Sequence, residues 1–233
     1  RAGLMPGILY GIPTPLGGAA ADALPVAALA TVRTLRHFVV ENAKSARAFL
    51  REIEMPCPLQ ELGISTTDTD FSPAIEKLQE GESIGLLSEA GCPAIADPGA
   101  ALVAAAQAAG IQVVPLVGPS SIVLALMASG LEGQRFAFCG YLPREAEARR
   151  KRIGELEARS RRERETQIFI ETPYRNEAML GALLDACSPG TLLCAASDLT
   201  LPSERIKTQT IAAWRSTRHA IGKRPTVFLL LSG

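Results

Sequence analysis

Four short stretches hold most of the residues able to do chemistry. They are Pro13-Thr14-Pro15-Leu16-Gly17-Gly18, Glu41-Asn42-Ala43-Lys44, Ser88-Glu89-Ala90-Gly91-Cys92-Pro93 running on to Ala96-Asp97-Pro98-Gly99, and Leu116-Val117-Gly118-Pro119-Ser120-Ser121. Glycines let a backbone approach a ligand closely, and the N–H groups exposed in such turns can hold a carboxylate or a phosphate. Neither GxGxxG nor GxxxxGK[ST] occurs, so the common dinucleotide and nucleoside-triphosphate fingerprints are absent. Glu41, Glu89 and the later Glu171 each stand at the end of an apolar run, where a carboxylate can act as a general base; Lys44 can do so if burial lowers its pKa, or can position a phosphate. Each stretch also has a plain structural use. Asp97 and Pro98 fit an N-cap and first-turn pair opening a helix at Gly99, and Ser120 fits a cap for the next helix. Cys92 has no histidine nearby in sequence to activate it and reads as a weakly polar wall rather than a nucleophile.

Stepping along the chain, these stretches follow apolar, β-rich runs at 7–12, 37–41, 83–88 and 111–115, with helical patterns at 24–35, 43–53, 71–79 and 100–109 between them. Fully apolar strands alternating with helices predict a parallel sheet covered on both faces, and in such sheets ligands sit beyond the carboxyl ends of the strands. The four stretches should therefore share one rim. The second half predicts a helix at 120–129, a strand at 136–141, a charged helix at 144–164, strands at 166–171, 191–197, 204–210 and 225–231, and helices at 175–186 and before the last strand. Only the segment 198–203 separates two of these strands, which predicts a hairpin and a mixed sheet. The expected fold class is thus α/β, with two α/β domains, 1–118 and 119–233, the first with a mostly parallel sheet and the second mixed.

Composition narrows the function. The chain has 233 residues, 47% of them hydrophobic, enough for a sizeable core, and its 24 basic and 24 acidic side chains cancel. No global field recruits nucleic acid, so an RNA contact needs a local patch. Between Arg144 and Glu165 alternating charges read as a solvent-facing helix surface, with a phosphate-contacting stripe as the functional alternative. Five scattered cysteines without CxxC spacing argue against a disulfide framework and a zinc site, and two histidines, His37 and His219, far apart in sequence leave no metal expected. A single tryptophan, Trp214, makes no stacking surface for bases. No apolar stretch approaches the length of a membrane span and no signal-peptide pattern opens the sequence, so a soluble cytoplasmic protein is expected.

Pro13-Thr14-Pro15-Leu16-Gly17, Ser88 to Pro93 with Ala96 to Gly99, and Gly118-Pro119-Ser120-Ser121, with Gly140-Tyr141-Leu142-Pro143, Glu171-Thr172-Pro173-Tyr174-Arg175 and Asp198-Leu199-Thr200 following in order, resemble the tetrapyrrole-methylase superfamily of S-adenosylmethionine-dependent methyltransferases. The resemblance spans about residues 7–231 and is greatest to the branch that methylates a ribose 2′-hydroxyl of small-subunit ribosomal RNA. It implies a homodimer with S-adenosylmethionine in a cleft between the two domains. Pro13, Thr14 and Pro15 and the turn Ala90, Gly91, Cys92 and Pro93 would border the cofactor. Ser120 and Ser121 would approach its polar end, and Tyr141, Leu142, Ala196, Leu199 and Thr200 would close over it. Glu41 and Lys44 would face the substrate as the catalytic pair. That branch usually carries Glu-Asp-Thr-Arg where this chain has Glu41-Asn42-Ala43-Lys44, which neutralises the second acid and shortens the cation's reach, and Arg-Glu-Leu-Thr-Lys where it has Ser197-Asp198-Leu199-Thr200-Leu201, which loses both basic residues. The implied activity is methylation of RNA, with a tetrapyrrole-like small molecule as the rival acceptor, or a cofactor-binding protein without catalysis.

Overall fold

The computed structural model describes residues 5–217 and 220–233 and divides into two compact units, Arg1–Ser120 and Ser121–Gly233. His219 and Arg1 lie outside the described residues. In the first unit the order is β1 (Ile8–Ile12), α1 (Ala20–Ala23), α2 (Val26–Thr34), β2 (His37–Val40), α3 (Ala43–Glu52), β3 (Gly63–Thr66), α4 (Ser72–Gln79), β4 (Ile84–Leu87), α5 (Ala100–Ala108) and β5 (Gln112–Pro115). The strands form one sheet in the order β3-β2-β4-β1-β5, and every pairing is parallel. β4 is central and buried at all four positions, the pattern of a strand covered on both faces. On one face Ile12 and Val40 pack with Leu29 of α2 and Phe49 and Leu50 of α3, and on the other Leu9 and Val39 pack with Leu78 of α4 and Leu102 of α5. Burying each of these larger side chains contributes about 1.5–3 kcal/mol.

β3 has no counterpart in the sequence reading. It is a four-residue edge strand, and its only bulky apolar residue, Ile64, is half-buried, so no apolar run marks it. The parallel register His37↔Gly63 to Val40↔Thr66, set by β2, supplies what its own residues do not.

The second unit runs α6 (Ser121–Ser129), β6 (Phe136–Tyr141), α7 (Ala146–Glu163), β7 (Thr166–Glu171), α8 (Asn176–Ala186), β8 (Leu192–Ser197), β9 (Arg205–Thr210), α9 (Ile211–Thr217) and β10 (Thr226–Leu231). Its sheet order is β6-β7-β10-β8-β9; β6 and β7 are parallel, and the remaining pairs are antiparallel, including the hairpin β8-β9. The mixed sheet matches the expectation. A bulge interrupts β6 between Phe138 and Tyr141. The stacked rings of Phe169 and Phe228, 5.8 Å apart, anchor a core shared with Leu156, Leu183, Leu193 and Trp214.

The charged helix α7 is capped by Glu145, whose carboxylate accepts from the N–H groups of Glu147 and Ala148. It buries Ile153, Leu156, Glu157 and Ser160 and turns ion pairs such as Arg152–Glu155 and Arg162–Glu163 to solvent. Among the described residues no helix is long and apolar enough to cross a membrane.

Candidate functional site

Because β1, β4 and β5 run parallel, the loops that follow them leave the same edge of the first sheet, and here they are tied together. Thr14 and Gly91 exchange backbone hydrogen bonds, Thr14 N–H to Gly91 O at 2.9 Å and Gly91 N–H to Thr14 O at 3.0 Å. The Thr14 hydroxyl donates to Ser88 O, and Ser88 Oγ donates to Gly91 O, so buried side chains brace the crossing from within. Gly91 takes φ 77°, a left-handed conformation that a side chain would strain. The third loop closes on the first at Gly118: a Cβ there would stand 2.3 Å from Cβ of Pro13, so only glycine lets the two backbones approach so closely. The Cys92 thiol donates to Pro119 O at 3.3 Å, and burial pushes its pKa up, away from a reactive thiolate. Pro93 lies over Gly11 at the end of β1. Pro13, Thr14, Gly91, Cys92 and Pro93 are thus brought together; Pro15 follows the crossing directly, Ala90 sits on its exposed outer turn, and Ser120 ends the unit.

Three carboxylates gather beside this crossing. Glu41, just past β2, accepts the backbone N–H of Glu89 on Oε2 at 3.0 Å, and Glu89 Oε1 accepts from Ser45 Oγ at 3.2 Å. Asp97 has its pKa pushed up to about 6, first by burial and then by the negative charges of Glu41 and Glu89. The helix-cap role expected for Asp97 is not observed. The residue preceding α5 is Gly99, with φ 123° and no side-chain cap bond, so the Asp97 carboxyl is left for other work. Ala94 and Ala96 hold left-handed φ of 64° and 63° in the loop that presents it, at a cost of about 1–2 kcal/mol each. The sequence reading assigns Asp97 a cap and a part in shaping a ligand loop but not a place among the bases; its place in the same loop as Glu89, following the strand beside Glu41, was the available signal.

Asn42 explains one oddity of the Glu41-to-Lys44 stretch. Its side chain caps α3 by accepting from the N–H groups of Lys44 and Ser45, a task for which the neutral amide serves as well as an acid. Lys44 sits exposed in the first turn of α3, with no carboxylate within ion-pair distance among the described residues.

In the second unit, Tyr141 is exposed at the end of the bulged β6 and Leu142 is buried behind it. Ala196 is buried in β8, and the turn that follows carries Asp198 and Thr200 at left-handed φ of 52° and 71°, with Leu199 buried between them. This turn is fixed: Asp198 N–H donates to Pro225 O, Thr200 N–H to Glu204 Oε2, and Asp198 Oδ2 accepts from Ser203 and pairs with Arg224 at 3.4 Å. The parallel directions of β6, β7 and β8 put Tyr141, Glu171 and Ser197 at one end of the sheet. Ser121 begins α6 in this unit. Glu171, named above as a possible base, has its side chain 2% exposed. Its Oε1 accepts from Thr172, and Oε2, without a hydrogen bond of good geometry, is held by charge 3.3 Å from Arg175 Nη2. It is a structural ion pair rather than a rim base. No cluster of three or more His, Cys, Asp or Glu among the described residues is arranged to hold a metal.

The first unit's rim has the donors a polar ligand needs. The N–H groups of Leu16, Gly17 and Gly18 have no intrachain acceptor among the described residues and suit carboxylate or hydroxyl oxygens. The three carboxylates suit a ligand carrying positive charge.

Comparisons with known proteins place the chain in a family. The family model of the tetrapyrrole (corrin/porphyrin) methylases matches residues 9–214. The protein named ribosomal RNA small subunit methyltransferase I of Xylella fastidiosa is 37% identical over 89% of this chain and 74% of its own length. The protein of the same name from Vibrio cholerae is 33% identical over 88% of this chain and 69% of its own. Among solved structures, the methyltransferase CobJ shares the fold with a TM-score of 0.60 at 21% identity, covering 97% of this chain and 93% of that one. On the family model and the identities of its relatives, this chain is a methyltransferase and belongs to the tetrapyrrole (corrin/porphyrin) methylase family.

Proposed function

We propose that this methyltransferase moves the methyl group of S-adenosylmethionine to a ribose 2′-hydroxyl of small-subunit ribosomal RNA. The observation that carries the reading is the 37% identity, over 89% of the chain, to a protein named for methylation of that RNA. The cofactor supplies a methyl group already activated on a sulfonium sulfur. The chain's own work is to orient the hydroxyl and to take its proton as the new C–O bond forms and the C–S bond breaks. Orientation can contribute about 7–11 kcal/mol and a placed base about 10²–10⁴-fold. The N–H groups of residues 16–18 would hold polar ends of the cofactor, and the crossing of Thr14 and Gly91 would support them. Asp97 is the best-tuned base on the rim, since a pKa of about 6 leaves it ionised at neutral pH yet close enough to accept a proton. Glu41 would add its charge to the burial that raises that pKa and hold the Glu89 loop in place, while exposed Lys44 would contact a phosphate rather than take a proton. A homodimer, implied by the resemblance, and a cytoplasmic location, expected from the scattered cysteines, are part of the proposal; the dimer is read by light scattering.

The test is transfer of labelled methyl to isolated small ribosomal subunits, run beside calorimetry with S-adenosylmethionine. Transfer that Asp97→Asn lowers by about 10²-fold or more, with cofactor affinity kept, supports the reading. Cofactor binding with transfer only into a small-molecule fraction would favour the tetrapyrrole-like acceptor. Binding without any transfer would favour the silent cofactor-binding protein.

A further inference from the structure

A cavity of about 410 Å³ opens in the second unit on the β8-β9 hairpin, lined among others by Arg205, Lys207, Arg224, Glu204, Trp214 and Ile221. The register pairs Ala195 with Lys207 and Ser197 with Arg205. Side chains alternate across a strand, so these four share one face, and Ala196 points to the other. The small Ala195 and Ser197 leave the floor open, and Trp214, 2% exposed, closes its base with its ring 5.6 Å from the Lys207 ammonium. Three cations and one acid line the space, in a chain whose formal charge is zero.

The charges are not cancelled locally. Glu204 Oε2 is engaged by the Thr200 N–H, and Arg224 is partly neutralised by Asp198 at 3.4 Å. Arg205 and Lys207 have no carboxylate within ion-pair distance among the described residues. The opposite wall is pre-set. Asn176 Nδ2 donates to Gly222 O and Arg224 O at 3.0 and 2.7 Å, and Glu177 Oε1 accepts from the N–H groups of Ile221 and Gly222. A rigid, net-positive concavity of this volume is larger than a bare phosphate needs and falls within the range of small-molecule sites, about 300–1,000 Å³.

We propose that this cavity receives a phosphate-bearing nucleotide of the substrate RNA, with Arg205, Lys207 and Arg224 as its phosphate contacts. The proposal rests on the RNA reading of the function. It also gives a chain of zero net charge the local patch that RNA binding requires.

Trp214 is the single tryptophan and lines the cavity, so its emission reports occupancy there. The experiment titrates the full chain with a short single-stranded oligouridylate at several salt concentrations, reading Trp214 emission and the anisotropy of the labelled oligonucleotide together. Calorimetry with S-adenosylmethionine and methyl transfer to small ribosomal subunits are run on the same preparations. A saturable emission change is expected, with affinity falling as salt rises by about 0.7 in log-log slope per phosphate contact. The double variant Arg205→Gln/Lys207→Gln should bind the oligonucleotide about tenfold or more weakly with a shallower slope, while binding S-adenosylmethionine as before. Absence of an emission change would overturn the proposal, as would equal affinity and slope in the double variant. Uridine monophosphate binding as tightly as the oligouridylate would make this a free-nucleotide site and would also overturn it. Methyl transfer by the unaltered chain without any Trp214 response would sink the cavity proposal and leave the function standing. Absence of transfer would take down the functional reading itself.

Discussion

Thr14 and Gly91, 77 positions apart in the chain, exchange both of their backbone hydrogen bonds at 2.9 and 3.0 Å and lock the loop after β1 to the loop after β4. Neither loop is a regular element, so this one crossing, with Ser88 beneath it, sets the shape of the rim. Gly91→Ala should destabilise the chain by about 1–2 kcal/mol, because φ 77° is maintained only at the expense of a left-handed alanine with its Cβ 3.3 Å from Leu16. Cofactor affinity should fall with it. Urea denaturation and calorimetry on the same variant measure the two effects.

Gly118→Ala tests the second tie. Its new methyl would meet Pro13 at 2.3 Å, and proline cannot rotate aside. A loss of about 1–3 kcal/mol is expected from overpacking, with a weaker cofactor site as the Pro13 loop is pushed off β5. Gly133→Ala, where nothing lies within 4 Å of the added carbon, is the control and should change stability little.

Asp97 makes a signed prediction. Its pKa rises on folding from 3.8 to about 6, so between these values the folded chain binds the proton more readily than the unfolded chain does. The raised value means that the ionised carboxylate is disfavoured in the fold, a penalty fully present above about pH 6 and absent below about pH 4. Asp97→Asn should therefore raise Tm at pH 8, by about 2–4 °C for each kcal/mol relieved in a chain of this size, and the gain should vanish as pH falls towards 4. Activity should move oppositely: methyl transfer by the unaltered chain should drop below about pH 6, where Asp97 is protonated, and Asp97→Asn should be slow at every pH.

Arg175→Ala should be among the most destabilising single changes in the second unit. It leaves the Glu171 carboxylate, with its side chain 2% exposed, without the guanidinium 3.3 Å away, a situation that costs about 3–5 kcal/mol. Adding Glu171→Gln should return a large part of that loss. A thermal-denaturation cycle over the two singles and the double checks it; if the double variant is no more stable than Arg175→Ala, the pair is not the reason Glu171 is tolerated there.

The strands with strong apolar runs, such as Ile84–Leu87 and Thr226–Leu231, were legible because burial on both faces selects Val, Ile, Leu and Phe along their length. The hairpin was legible from the short connection after Ser197. β3 was not, since an edge strand with one bulky apolar residue borrows its conformation from β2. The bulge in β6 left a trace in Cys139-Gly140, a glycine inside a strand pattern, and its displaced register was not derivable from that. At the rim, the residue types were visible but not their use. Asn42 caps α3 and Asp97 does not cap α5, because which side chain reaches a helix terminus depends on the local loop conformation: Asn42 directly precedes α3, whereas Gly99 at φ 123° stands between Asp97 and α5.

The most direct test of the account is where the methyl group goes. Small ribosomal subunits would be incubated with the chain and S-adenosylmethionine labelled in the methyl group, and the extracted RNA hydrolysed in alkali. A 2′-O-methyl group blocks cleavage at its own phosphodiester, so the account predicts label in an alkali-resistant dinucleotide, lost with Asp97→Asn and reduced with Glu41→Gln. Label recovered on a base, in mononucleotides, or only outside the RNA would contradict it.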